Sequence, residues 1–378
     1  MEALGHSWPF STSSPFPLNH QRLAEANRCS VLGLIWRKRC LSQKDLTART
    51  HLRASTVSNI IRELKGGGLI EDGVAIEAER VGPKETELEI VPGYGWSVGL
   101  ALDEEFRMVI IDGAGRVLAH TDFPRGYTDA QLVRELPAEL ERVRKMHSMD
   151  WRRFAGIGIS VAGVVDSDNG IVLLSRNLRE RSEPLKAKME AALKTPVFVE
   201  RNVVCGAYAE HFAGAARDVE SFLYFSVTKH HQSRPGFGLA IVIDERIFRG
   251  SNSAAGEIDF LVDSLLPVNK TVPTDETFYS KCGEALAAII NLLDIHCVVL
   301  ADADLNGMHL KTLEAKMSSQ LVSVPGREIN LRQSALRSNS HAYGAALMKL
   351  HQNMARDLIQ SKHEANHANG HRKLAAVA

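Results

Sequence analysis

No stretch of this sequence stays apolar for the roughly 18 residues a membrane helix needs, so no spanning helix and no membrane partner are expected. Cysteine is scarce and badly spaced for metal or disulfide work. Cys29, Cys40, Cys205, Cys282 and Cys297 are odd in number, scattered, and form no CxxC pair. This argues against a disulfide framework or a zinc ribbon and makes the cytoplasm the expected compartment. Net charge is missing too, 45 basic residues balancing 45 acidic ones. Attraction to nucleic acid must therefore come from a local patch. The opening MEALGHSWPFSTSSPFPLNH lacks both a basic n-region and a continuous apolar run, which argues against a signal peptide.

What is present, 378 residues with 44% hydrophobic and 24% charged, fits two or three globular domains. Charge is concentrated near the start. Between His20 and Asp72, ten basic residues face five acidic ones, leaving an excess of about five positive charges, the footprint of a DNA-facing module. Three short helices are predicted there. Arg22 to Lys38 carries Leu23, Val31, Leu34 and Ile35 as a core face. A second helix begins at Ser42, a hydroxyl able to cap the free amides of QKDLTART. In ASTVSNIIRELK, Val57, Ile60, Ile61 and Leu64 fall at i, i+3, i+4 and i+7 and form one buried stripe. Ser55, Thr56, Ser58, Asn59 and Arg62 are then left at or near the exposed side, groups that bond phosphates and base edges in a major groove. Lys44 and Arg53 add charge to the same module. GGGLIEDG ends the helix and starts a strand, TELEIVP returns, and Arg80 and Lys84 in the connecting wing are expected to face the DNA backbone or minor groove.

From Trp96 the texture changes to short β-rich runs, WSVGLAL, RMVIIDG and GRVLAHTDF, joined by Asp/Gly turns. Helical DAQLVRELPAELERVRKM, the apolar strand FAGIGISVAG, helical PLKAKMEAAL and strand TPVFVER follow. A second such region runs from SFLYFSV and GLAIVID through EALAAIINLLD and CVVLADA to HAYGAALMKLHQNM. Strands alternating with helices imply a largely parallel sheet, and two halves of similar size imply two lobes around a cleft. The polar ending KHEANHANGHRKLAAVA is predicted to fray.

An ordered series of six blocks resembles the ROK family (repressor, open reading frame, kinase): LSQKDLTARTHLRASTVSNIIRELKGGGLI, GIGISVAGVVDSDNGIVLLSRNL, VFVERNVVCGAYAEHFAGA, GFGLAIVIDERIFRGSNSAAGEIDF, NLLDIHCVVL and SALRSNSHAYGAAL. The resemblance implies an α/β fold: an N-terminal winged helix-turn-helix followed by a two-lobed actin-like, sugar-kinase-like (ribonuclease H-like) domain. The expected divisions are a disordered segment over 1–18, the DNA-binding domain over 19–92, the ROK-like domain over 93–350, and a helix end with a disordered tail over 351–378.

The same resemblance shows where kinase chemistry is missing. Phosphoryl transfer needs a base for the sugar hydroxyl and a cradle for the phosphates. Family kinases open the domain with Asp-x-Gly-Gly-Thr; here Asp103, Glu104 and Glu105 occupy the turn, and carboxylates there repel ATP. The family's Glu-Asn-Asp-Ala motif is Glu200, Arg201, Asn202 and Val203, and an amide at 202 cannot take a proton as Asp does. TKHHQSRPGFG displaces the second phosphate loop. The family's zinc ligands are not found either, with Phe260 at the histidine position and only Cys282 nearby, so neither a metal nor a cofactor is expected. His363, His367 and His371 recur at four-residue spacing in the tail and read as solvated.

Of the family's sugar-binding set, Gly163, Asn177 and Glu257 remain by position, Asn202 replaces the aspartate and Arg201 the asparagine. Two readings stay open. The cleft takes an altered effector, a sugar or sugar phosphate met by Arg201, or it is empty of function and survives as a dimerisation scaffold. Arg201 is equally able to be a buried partner of Asp166 or Glu210, and Asn177, Asn202 and Glu257 to cap turns and helices. The expected protein is a non-enzymatic transcription regulator, a repressor of sugar-related genes, that binds a double-stranded operator as a homodimer or homotetramer; a kinase homologue with residual activity is the alternative.

Overall fold

The computed structural model describes residues 20–38, 42–75, 86–103, 105–124, 129–175, 182–228, 236–258, 275–302, 305–325 and 327–375. Arg80, Lys84, Glu104, Asn177, Phe260 and most of TKHHQSRPGFG lie outside these residues, as does the segment 1–18. The architecture is α/β, a winged helix-turn-helix leading into two lobes built on separate five-stranded sheets.

Helices α1 (His20–Lys38), α2 (Gln43–Thr50) and α3 (Ala54–Gly66) form the first unit. Ser42 caps α2 in a reciprocal box: the Asp45 amide donates to Ser42 Oγ at 3.3 Å, and the Ser42 amide donates to Asp45 Oδ2 at 3.0 Å. His51, at φ 55°, turns the chain out of α2. The predicted stripe Val57, Ile60, Ile61 and Leu64 is buried, at roughly 1.5–3 kcal/mol for each side chain. Leu23, expected in the core, is instead 46% exposed. The buried face of α1 begins only at Arg28, whose guanidinium meets Glu63 of α3 at 3.4 Å, where α3 starts to cover it. β1 (Ile70–Ala75) pairs antiparallel with β2 (Thr86–Ile90), Ile70 opposite Ile90, as the wing.

The first lobe's sheet has the order β5-β4-β3-β6-β9, from β3 (Trp96–Leu102), β4 (Phe106–Asp112), β5 (Val117–Asp122), β6 (Phe154–Val161) and β9 (Val197–Arg201). β3 runs antiparallel to β4 and parallel to β6. Side chains alternate across it. Val98, Leu100, Met108 and Ile110 pack with α4 (Asp129–Met146) and α5 (Leu185–Leu193), while Val109 and Ile111 join the opposite core. A hairpin, β7 (Val164–Asp166) and β8 (Ile171–Leu174), projects after β6.

The second sheet has the order β12-β11-β10-β13-β14, from β10 (Phe222–Thr228), β11 (Gly236–Ile243), β12 (Arg246–Phe248), β13 (Cys297–Asp302) and β14 (Asn330–Gln333). Phe225, Leu239, Val298 and Leu300 pack with residues of α7 (Asp275–Leu293) and α8 (Gly307–Gln320), such as Leu286, Ile290 and Leu313. Two further helices, α6 (Asn202–Ala213) and α9 (Ser340–Ala375), pack against each other in the core that joins the sheets. Their approach requires a glycine: a Cβ on Gly344 would sit 1.8 Å from the Cys205 carbonyl oxygen. α9 continues as helix to Ala375, through residues whose weak patterning predicted a frayed tail.

The helix-turn-helix unit does not hang from a bare linker. Trp36 at the end of α1 meets His351 of α9 edge-on at 4.2 Å. Arg37 contacts His211 of α6 at 2.8 Å and pairs with Glu245, in the turn between β11 and β12. Arg217 donates to the Arg37 carbonyl from Nε and Nη2 at 3.0 and 2.8 Å. The carboxyl end of α1 is thus buried against both central helices and tied to the second lobe. Burial holds His351 well below the usual histidine range, so a neutral ring packs against Trp36.

Candidate functional site

Two polar constellations stand out, one on the surface of α3 and one between the lobes. On the first, the buried stripe turns Ser55, Asn59 and Arg62 outward, with Thr56 and Ser58 half-buried at its margins. Arg62 Nη1 donates to Asn59 Oδ1 at 3.3 Å, a one-turn contact that sets the two side chains side by side on the exposed face. Arg53, at the N-cap of α3, makes no side-chain cap, and both it and Lys44 of α2 are exposed. Side-chain donors and the positive end of α3 therefore share one surface. The wing residues Arg80 and Lys84 lie outside the described residues.

The second constellation lies at the carboxyl ends of β3, β6 and β9, the edge of an α/β sheet where ligands bind. Glu200 is completely buried; its Oε1 accepts from Ser167 Oγ at 2.7 Å and from the Arg201 amide at 2.8 Å. Arg249, which follows β12 in the other lobe, reaches the second oxygen of Glu200 at 2.6 Å. Arg201 crosses in the opposite direction. Its Nη1 donates to the carbonyls of Ala255 at 2.6 Å and Ser253 at 3.3 Å, and its Nη2 donates to Glu257 Oε1 at 2.6 Å. Two adjacent residues of one lobe thus hold two arginine–glutamate pairs across the cleft. Burial pulls the Arg201 guanidinium below its usual range, opposed by Glu257 and Glu200.

Asp103 ends β3 where the family's phosphate loop would begin. It faces His341 Nδ1 at 3.0 Å and accepts from Asn202 Nδ2 at 3.4 Å. Asn202 Oδ1 accepts from the Val203 amide at 2.8 Å, so this side chain also closes the first turn of α6. Gly163 sits in the β6–β7 turn at φ 136°, where a Cβ would lie 2.0 Å from the Leu174 carbonyl oxygen. The structure therefore brings Arg201, Asn202 and Glu257 to one cleft, leaves Gly163 as a backbone turn, and does not describe Asn177. Neither Asp166 nor Glu210 takes Arg201. Asp166 caps Asn169, while Glu210 accepts from the amides of Ala215, Ala335 and Leu336.

Sequence reasoning passed over Arg249 and His341. Nothing in a single turn of chain marks them. The signal available was Glu200 itself, a charge closing the apolar strand VFVER, since a carboxylate buried at a strand end demands a partner. Among the described residues no group of three or more His, Cys, Asp or Glu side chains is placed to hold a metal ion, and no helix is long and apolar enough to cross a membrane. Cys282 is wholly buried in the core of the second lobe.

Comparisons with known proteins agree with this architecture. Residues 103–261 match the ROK family model. A putative xylose repressor of Caldicellulosiruptor sp. (strain Rt8B.4) is 30% identical over 244 residues, covering 64% of this chain and 59% of that protein. The xylose repressor of Bacillus subtilis (strain 168) is 22% identical over 368 residues, covering 85% and 94%. The chain thus spans 59% of the length of the first curated relatives it matches. Among solved structures, a ROK family transcriptional regulator, a homologue of the Escherichia coli MLC protein, superposes with a TM-score of 0.66 at 20% identity, covering 89% of this chain and 99% of that one. A ROK family glucokinase from Streptomyces griseus, solved with glucose and AMPPNP, gives 0.55 at 18% identity over 67% and 99%. At those identities the likeness speaks for fold alone, and it extends to regulators and kinases alike. The match to the ROK family model thus falls on residues 103–261, which in this chain stand behind an N-terminal winged helix-turn-helix.

Proposed function

We propose that this chain is a DNA-binding transcriptional regulator, a repressor of sugar-related genes, with its helix-turn-helix unit over 19–92 and its ROK-like domain over 93–350. The observation that carries the reading is the face of α3. Four apolar residues are buried beneath it, and Ser55, Asn59 and Arg62 stand outward at i, i+4 and i+7, one face of a helix that a major groove can admit. Relatives named xylose repressor support the sugar connection. A single module makes few base contacts, so two copies in a homodimer or homotetramer would supply the affinity by effective concentration.

The ROK domain in this reading senses and assembles without catalysing. Asp103 stands where phosphate would be cradled, and Asn202 has no carboxylate to accept a sugar proton. A sugar or sugar-phosphate effector would act through the cleft, by differential affinity for two lobe arrangements. The decisive experiment is fluorescence anisotropy of the full chain on DNA from upstream of its own gene. Nanomolar binding that weakens steeply between 50 and 200 mM salt is the expected result. Equal, weak binding to any DNA at either salt concentration would sink the proposal. An ATP-consumption assay across a sugar panel tests the kinase alternative, for which no turnover is expected.

A further inference from the structure

We infer that the inter-lobe cleft is an anion site: Arg201 is a preset seat for a ligand carboxylate or phosphate, held in the structure by the protein's own Glu257. The inference rests on the cleft being the effector site proposed above and names the chemistry of its ligand.

The side chain of Arg201 is 4% exposed. Its Nη1 is anchored by the Ser253 and Ala255 carbonyls, which fix the plane of the guanidinium. A carboxylate that meets a guanidinium edge-on closes two parallel N–H···O bonds. Here Nη2 gives one bond to one oxygen of Glu257, while the buried Nε has no protein partner. The edge built for two bonds carries one.

Glu257 is poorly suited as a permanent occupant. Its side chain is 42% exposed, so it regains water when it leaves, whereas Arg201 cannot follow it out. Arg249, from the opposite lobe, is also paired with a carboxylate. Its Nη1 is on Glu200 at 2.6 Å and its Nε is also buried without a protein partner. The other carboxylates of the cleft already have partners: Glu200 has Arg249, and Asp103 has His341. A neutral polyol that displaced Glu257 would leave the Arg201 charge buried and uncompensated. An anion replaces the lost charge and fills the open edge. Sugar acids and sugar phosphates share this chemistry, and either would cut one of the two arginine–glutamate pairs between the lobes while leaving Arg249–Glu200 in place.

The test is isothermal titration of the full chain with gluconate, glucose 6-phosphate, inorganic phosphate and glucose, for the wild type, Glu257→Gln and Arg201→Gln. At least one anion binds the wild type, binds Glu257→Gln about tenfold tighter because the internal competitor is gone, and gives no heat with Arg201→Gln. Glucose gives none with any of the three. Glu257→Gln keeps an oxygen to accept from Arg201 Nη2, urea unfolding of each variant identifies those that are folded before titration, and the predicted gain in Glu257→Gln stands apart from the fate of Arg201→Gln. Glucose binding as tightly as its phosphate, unchanged anion affinity in Glu257→Gln, or silence of all three anions with that variant would each overturn the inference. Operator binding by the ligand-free wild type tests the regulator reading separately, so the failure of one is distinguishable from the failure of the other.

Discussion

The face of α3 and the cleft between the lobes are both rich in polar groups, yet they spend them differently. On α3 the hydroxyls, amide and guanidinium point to solvent, and the contact between Arg62 and Asn59 joins neighbours one turn apart. In the cleft, Glu200, Arg201 and Arg249 are buried or nearly so, and they pair across two lobes. Water screens the first set, so its energy is realised only when a partner displaces that water. In the second set desolvation has already been incurred, so every missing bond counts. An exposed polar face signals what the protein meets; a buried one signals what the fold must satisfy.

The contrast can be broken most forcefully at Arg249. Arg249→Ala strands the Glu200 carboxylate at 0% exposure and should destabilise the protein by about 3–5 kcal/mol, read from urea unfolding. A loss under about 1 kcal/mol would mean that Ser167 and the Arg201 amide suffice for Glu200.

Lys349 tests the cost of a buried charge from the other side. Burial, together with Arg356 and Lys186 and against Glu190, lowers its pKa from the ordinary 10.5 to about 8. Between about pH 8 and 10.5 the unfolded chain holds a proton that the folded one has released, so stability rises with pH across that window. The penalty is fully present below pH 8. Lys349→Met should therefore stabilise the protein at pH 7, by up to about 3 kcal/mol, and flatten the rise. Parallel pH–stability curves for variant and wild type would contradict it.

On the exposed side, Arg62→Ala should leave the unfolding midpoint within about 0.5 kcal/mol of wild type while costing roughly 1–3 kcal/mol of specific operator affinity. An effect on stability without one on DNA binding would reverse the assignment of this face. The smallest change is Ser42→Ala, which removes one half of the capping box and should cost about 1 kcal/mol in thermal or urea unfolding.

How far the sequence could be read follows from the range of each interaction. Helix α3 was legible because Val57, Ile60, Ile61 and Leu64 repeat at helical spacing, and Ser42 because its capping partner is three residues away. Leu23 misled because periodicity places a residue on a face without saying how far the neighbouring helix extends over it. Arg201 and Glu257 were both singled out in the sequence, but their pairing was not: Glu257 is 56 residues away and arrives from the other lobe.

By itself, then, the sequence determined the polar face of α3, the amide at Asn202, and the carboxylate at Asp103, since each is a matter of residue identity and local period. Tertiary structure alone decided that Arg201 meets Glu257, that Arg249 meets Glu200, and that Trp36 and Arg37 anchor α1 against His351 and His211. Those contacts depend on where two sheets and two central helices come to rest. Buried charge then selects whichever partner that packing brings within reach.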